Sequence, residues 1–186
     1  MNPRIKWNHK HKERINQLEE PAPNDRLKTL CPYLTGGPAL DLACGLGGNS
    51  LFLARLNFQV QAIDISDVAV KYLNEIVAKQ KLAIYPKLCD LTEISNLHLQ
   101  KNSFRLVVIT NYLDRSLFPV VKSIVKEDGY FFMETFYMSP MHENQGVSNQ
   151  YKLQPGELLA EFGEWKVLFY EENEPKGRQT IFCQKC

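Results

Sequence analysis

The chain has 186 residues, of which 44% are hydrophobic and 23% charged, with a formal net charge of +1. That length suits one compact domain that buries roughly 70% of the surface its unfolded chain exposes, so it needs no disulfide or metal as a staple. The near-neutral balance excludes the broad positive field that marks binders of nucleic acid or of acidic membrane surfaces.

Residues 1–23 run basic, then acidic, and close on Pro21-Ala22-Pro23. They read as an arm or short helix packed on a domain that comprises residues 24–186. Asn24 is placed to cap a helix carrying Leu27, Leu30 and Leu34 at helical spacing, and Thr35-Gly36-Gly37-Pro38 breaks it. Strand and helix patterns then alternate. Strands are expected at 39–43, 59–63, 83–88, 104–110 and 130–136, mostly as near-continuous apolar runs suited to a parallel sheet covered on both faces. A helical stretch follows the first strand from Ser50 to Leu56. Ser66 is a good N-cap for a helix with Ala69, Tyr72, Leu73 and Ile76 on one face. Ser116 is expected to cap another, with Pro119 in its first turn and Gly129 placed to end it. A short helix opens at Pro155-Gly156 and runs through Phe162. The last strands, 166–170 and 179–183, are joined by a connection too short for a crossover helix and should run antiparallel. These elements describe a doubly wound α/β sheet with an antiparallel strand at one side.

The five cysteines, at 31, 44, 89, 183 and 186, are odd in number and scattered. Met1 to Trp7 carries charge with no apolar run behind it, and no stretch approaches a bilayer-spanning length, so neither a secretory leader nor a membrane span is expected. Reduced thiols in a cytoplasmic protein are the expectation. Cys183-Gln184-Lys185-Cys186 has ligand-like spacing, yet no second pair completes a tetrahedral site, and no metal is expected.

The informative segment runs Ala39-Leu40-Asp41-Leu42-Ala43-Cys44-Gly45-Leu46-Gly47-Gly48-Asn49-Ser50. Glycines between a strand and a helix remove the Cβ atoms that would hold a ligand off the backbone, and the helix start offers N–H groups to an anion. Asp41, at its strand's end, can face an ammonium. Asp64, at the end of the second strand, can accept from a ribose diol. Asp90 follows the third and can reach an adenine amino group, with Ile65 and Leu91 lending apolar faces. Singly these are a tight turn, a cap and a turn residue. At successive strand ends along one sheet edge they point to a nucleoside ligand. NAD is the rival, but a dinucleotide loop wants a third glycine where Ser50 stands, and Asp41 would repel a pyrophosphate.

On these residues the chain resembles the class I S-adenosylmethionine-dependent methyltransferases, and within them the small tellurite-resistance-type branch. The resemblance spans roughly Trp7 to the C-terminus and is strongest from Leu40 to Leu73. The acid-x-Gly-x-Gly-x-Gly loop is matched at Asp41, Gly45 and Gly47, with Ala43 replacing the first glycine. The resemblance implies that Ala43, Cys44 and Thr110 join the donor site and that Asn49 helps hold the methionine carboxylate. It assigns Asp64 to the ribose and Asp90 to the adenine. It also implies a seven-stranded sheet in the order 3-2-1-4-5-7-6. Asn111 to Arg115, Glu134-Thr135-Phe136 and Leu153 to Leu158 match too. Two positions depart: Phe104-Arg105 replaces an aromatic-Asp pair, and Gly48 stands where an arginine is usual.

Methyl transfer from a sulfonium is an in-line displacement that asks mainly for alignment and a dry pocket, and a soft nucleophile needs no base. No catalytic residue is therefore assigned. Thr110, Asn111, Tyr112 and Arg115 are candidates for the methyl-facing wall. Tyr112 would orient a substrate or pack at a helix start; Arg115 would hold an anion or lie as a surface charge. The loop from Tyr137 to Tyr151 suits a lid, with His142 a base or an exposed loop histidine. Trp7, His9 and His11 suit a second lid, or Trp7 simply anchors the arm. No Asn-Pro-Pro-Tyr motif follows the fourth strand and no basic, aromatic-rich extension is present, which favours a small-molecule acceptor, and the resemblance to the branch implies one with a sulfur, selenium or tellurium nucleophile. A non-catalytic S-adenosylmethionine or nucleoside binding module and an NAD-dependent oxidoreductase are the alternatives. No nucleic-acid or membrane partner is expected, and the chain should be a monomer or homodimer.

Overall fold

The apolar runs read from the sequence become seven strands of one mixed sheet, in the order β3-β2-β1-β4-β5-β7-β6, in a computed structural model that describes residues 2–17, 20–141 and 146–186. The expected strand order and doubly wound architecture are what is found. The chain divides into two compact units, residues 1–99 and 100–186.

The first unit contains α1 (Pro3–Ile15), α2 (Asp25–Thr29), β1 (Gly37–Leu42), α3 (Gly48–Arg55), β2 (Phe58–Asp64), α4 (Asp67–Gln80) and β3 (Ile84–Leu88). Asn24 caps α2 as expected, its Oδ1 accepting from the Leu27 N–H at 3.0 Å. The helix expected to reach Leu34 is cut short, because Pro32 turns the chain into a 3-10 segment over Cys31–Tyr33; Leu27, Leu30 and Leu34 are nonetheless all buried. Ser66 caps α4 by accepting from the Ala69 N–H at 3.1 Å, and Ala69 and Leu73 form its buried face. The three strands are parallel, and the register sets Asp41 beside Ala62 and Asp64 beside Leu88. Two acids thereby come to rest at the C-terminal ends of neighbouring strands, the edge where open α/β sheets hold ligands.

The second unit contains β4 (Phe104–Thr110), α5 (Leu117–Ile124), β5 (Val125–Phe136), α6 (Glu157–Phe162), β6 (Lys166–Asn173) and β7 (Arg178–Gln184). β4 and β5 are parallel, and β7 runs antiparallel to both β5 and β6. Two expectations need correction here. The helix expected to end at Gly129 stops at Ile124, and β5 begins at once with Val125. Gly129 lies inside β5, where a Cβ would come within 2.7 Å of the Lys126 carbonyl oxygen and 3.1 Å of that of Phe104, so close backbone approach explains the glycine, not helix termination. Ser116 makes no capping bond with its side chain. Its hydroxyl donates instead to Asp114 Oδ1 at 2.6 Å, and the same oxygen accepts from the Ser116 N–H, so Asp114 shapes the entry to α5. An aromatic core of Phe118, Phe131, Phe162 and Trp165 closes this unit.

Among the described residues no helix is long and apolar enough to cross a membrane, and all five cysteines are free.

Candidate functional site

The turn after β1 is held by its own backbone. The Cys44 N–H donates to the Ile63 carbonyl and the Gly47 N–H to that of Cys44, each at 3.0 Å. Ala43, Gly45 and Gly47 all have positive φ, of 56°, 55° and 88°. Ala43 thus stands in a left-handed conformation where the resemblance has glycine, which gives the first glycine of the loop a physical reason and makes alanine a strained substitute. Gly48 answers to a different demand. A Cβ there would overlap the Ala22 carbonyl, so the arginine usual at this position has no room beneath the 20–24 segment.

Asp64 locks the loop. Its Oδ2 accepts from the Gly45 N–H at 2.8 Å and its Oδ1 from the Ser66 N–H at 2.8 Å, while the residue stays 6% exposed. Asp41 is fully buried. One oxygen accepts from the Ser50 hydroxyl at 2.6 Å; the other, Oδ1, has no hydrogen-bond partner. Burial pushes the Asp41 carboxyl up to about 7 from its ordinary 3.8; the Ser50 hydrogen bond pulls it back and the neighbouring Asp64 charge adds to the rise. Ser50 therefore fills the place of a third glycine with a side chain that clamps the acid, a role that the sequence alone does not disclose. Burial, with the charges of Asp41 and Asp64, also pushes the Cys44 thiol well above its ordinary range. Asn49 is 7% exposed, and its Oδ1 accepts from the Asn24 N–H at 2.8 Å, tying the segment before α2 to the loop.

Asp90 lies at the end of β3 and caps the following 3-10 segment, its Oδ1 accepting from the N–H and the hydroxyl of Thr92. Ile65 is half-buried and Leu91 buried. Helix α1 is docked on the start of α4. Asn8 accepts from the Ser66 hydroxyl and donates to Asp67, both at 2.7 Å, and Arg4 adds a 3.0 Å bond to Asp67. Trp7 is half-buried and stacks on His11, which is buried against Gly45; His9 is exposed and pairs with Glu13. Asn8 is the residue of this helix that sequence reasoning missed.

In the second unit Thr110 ends β4, followed by exposed Asn111 in a left-handed conformation and half-buried Tyr112. Arg115 is engaged: its Nε and Nη2 reach the two oxygens of Glu157 at 2.6 and 2.8 Å, and Nη2 also donates to the Lys152 carbonyl. Arg178, at the start of β7, lies over the Phe136 ring with 3.6 Å to the centroid and donates to Asn111 Oδ1 at 2.5 Å. No motif pointed to it; a cation opening an antiparallel strand becomes informative only when β7 is set beside β5. His142 lies outside the described residues, as does part of the 137–151 loop. Among the described residues no cluster of His, Cys, Asp or Glu is placed to hold a metal ion.

The family model described as Tellurite resistance protein TehB matches residues 23–180. A probable S-adenosyl-L-methionine-dependent methyltransferase TehB of Haemophilus influenzae is 30% identical over 146 residues, covering 76% of this chain and 50% of that protein. The chain spans about half the length of the curated relatives it matches. Among solved structures, TehB from Haemophilus influenzae aligns with a TM-score of 0.76 at 23% identity, over 88% of this chain and 63% of that one. Geranyl diphosphate C-methyltransferase from Streptomyces coelicolor A3(2), solved with Mg2+, geranyl diphosphate and S-adenosyl-L-homocysteine, aligns with a TM-score of 0.69 at 13% identity, over 100% of this chain and 88% of that one. At such identities the structural likeness speaks to the fold.

Proposed function

The chain belongs to the tellurite resistance protein TehB family, and from that premise we propose that it is a cytoplasmic S-adenosylmethionine-dependent methyltransferase acting on a small molecule. The observation that carries this reading is the bare Oδ1 of buried Asp41 beside a loop whose Gly45 N–H is held by Asp64. A buried carboxylate oxygen without a partner is costly, and the ammonium of an amino-acid tail is a group that would relieve it. A pyrophosphate would make it worse. Asp41 would take the ammonium and Asn49 the carboxylate, with Ala43, Cys44, Gly45 and Gly47 lending backbone. Asp64 would take the ribose and Asp90 the adenine side, between Ile65 and Leu91. The resemblance adds Thr110. When bound, S-adenosylmethionine supplies a methyl group on a cationic sulfur, whose departure as a thioether needs no proton.

The protein's own task is then to orient an acceptor and exclude water. Tyr112 is a wall at the tip of β4. Arg178, held on Phe136 and Asn111, offers a cation suited to an anionic acceptor with a soft nucleophilic atom, the class the family's name suggests. Arg115 acts through Glu157 as a support for the segment around Lys152. Free thiols suit the reducing cytoplasm.

Calorimetric titration with S-adenosylmethionine, S-adenosylhomocysteine and NAD tests the donor: the first two should bind and NAD should not. Labelled methyl donor incubated with thiols, selenite, tellurite and a cell-extract metabolite pool tests the reaction. Binding of NAD alone would reject the reading, and donor binding without any labelled product would leave a binding module.

A further inference from the structure

Helix α1 is polar along its length, and the one residue it buries is a histidine. His11 is 3% exposed, and its Nδ1 has no hydrogen-bond partner. Its ring is not filling a gap in an apolar core. It stacks on Trp7 with 5.7 Å between centroids, and its Cε1 lies 3.3 Å from where a Cβ on Gly45 would stand. Asp64 is near enough for its charge to act on the ring. The helix does not reach this place through its histidine alone, since Asn8 and Arg4 pin it to Ser66 and Asp67 on the next turn of chain. Of the three buried polar atoms without a partner among the described residues, two, His11 Nδ1 and Asp41 Oδ1, belong to residues flanking one glycine loop; the third is Tyr137 Oη.

We propose that His11 is a donor-binding residue, its imidazole nitrogen accepting a hydrogen bond from a hydroxyl of the same ribose that Asp64 holds. This rests on the methyltransferase reading above. Burial lowers the imidazole from its ordinary value, Asp64 opposes that, and Arg14 and Lys10 add to it. The ring is therefore kept neutral and able to accept. A buried acceptor left without a partner destabilises the donor-free state, and a ribose hydroxyl is a group of the right kind to satisfy it. Helix α1 then belongs to the site as well as covering it.

The test is calorimetry with S-adenosylhomocysteine on the wild-type chain, His11→Phe and His11→Gln. The wild type should bind. His11→Phe keeps the ring against Trp7 but lacks the acceptor, and should bind about 3- to 10-fold more weakly, the effect of one hydrogen bond. His11→Gln keeps an acceptor and should recover part of the loss. Against an S-adenosylhomocysteine analogue lacking the ribose hydroxyls, wild type and His11→Phe should bind equally. Without donor, His11→Phe should melt no lower than wild type, since it removes an unpaired buried nitrogen. If wild type binds and His11→Phe binds equally well or more tightly, the role of His11 is overturned while the methyltransferase reading stands. If wild type fails to bind, the methyltransferase reading itself falls. Should His11→Phe not fold, the ring nitrogen resonances of His11 in the wild-type chain decide. They should shift when donor saturates the site, and unmoved resonances overturn the proposal.

Discussion

The two units of the chain both bury polar side chains, but they do so in different ways. In residues 100–186, Gln179 is buried with its needs met: its amide donates to the Gln154 carbonyl and to Glu172, and its oxygen accepts from the Leu158 N–H. That is a structural network, closed on itself, although the same unit also buries one atom without a partner, Tyr137 Oη. In residues 1–99, His11, Asp41, Asn49, Ser50, Asp64 and Ser66 are buried around one glycine loop, and two of them carry an atom with no partner. A closed network stabilises a fold, whereas two unpartnered atoms clustered at one loop call for an explanation, and a ligand is one that fits. The grouping of two such atoms at one glycine loop supports the donor site proposed for the first unit.

Asp41 offers the hardest test of that contrast. Its folded value, about 7, lies above its ordinary 3.8, so the stability it contributes is full below about pH 4 and is lost as pH rises through 7. Asp41→Asn keeps an acceptor for Ser50 and removes the buried charge. The donor-free variant should therefore gain stability over wild type at pH 8, by up to about 4 kcal/mol at 1.36 kcal/mol per pKa unit, with the gain closing toward pH 4. Donor affinity should fall in the same variant, because the ammonium loses its counter-charge. Urea unfolding at pH 4.5, 6 and 8 reads the first effect. A stability difference that does not change with pH would show that the carboxyl is not held protonated by burial.

Asp64→Ala comes next. It removes the acceptor for the Gly45 and Ser66 N–H groups as well as the one proposed for the ribose. Donor binding should weaken by roughly 1.5–3 kcal/mol, the range for hydrogen bonds to a charged group. Unchanged affinity by calorimetry would remove the ribose assignment. A smaller effect, of opposite sign, is expected at Ala43. With φ at 56°, alanine pays for a left-handed conformation that glycine adopts freely. Ala43→Gly should raise the midpoint of thermal unfolding by an amount equivalent to about 1 kcal/mol, and a lower midpoint would place the strain elsewhere.

These residues also show what a sequence can and cannot disclose. Asp41, Asp64, Asp90 and the glycines were legible because strand and helix alternate with clear periods, so each acid's distance from its strand fixes where it lands. The caps at Asn24 and Ser66 were legible for the same local reason. What was hidden depends on contacts distant in sequence. Gly48 is explained by Ala22, 26 positions back, and Ser50 by its bond to Asp41 across the turn. Gly129 was misread because a glycine after an apolar helical run looks like a stop, whereas the space beside it is taken by the Phe104 carbonyl from the neighbouring strand. Arg178 and the partnership of Arg115 with Glu157 needed the second unit to be folded before either meant anything.

Arg115 gives the smallest effect and the sharpest control on the contrast between units. Its Nε and Nη2 are committed to Glu157, and Nη2 also to the Lys152 carbonyl, but the side chain is 45% exposed. Solvent screening limits such a pair to about 0.5–1 kcal/mol, so Arg115→Ala should lower stability by no more than that. Glu157→Ala should cost somewhat more, because its Oε2 also accepts from the Gln154 N–H at 2.7 Å, and the double variant little more than Glu157→Ala alone, since the ion pair is shared. Donor affinity should not change in any of the three. If the pair is a support, acceptor KM should stay within about twofold of wild type in both single variants. A rise in KM confined to Arg115→Ala, with Glu157→Ala silent, would instead make the guanidinium itself an acceptor contact.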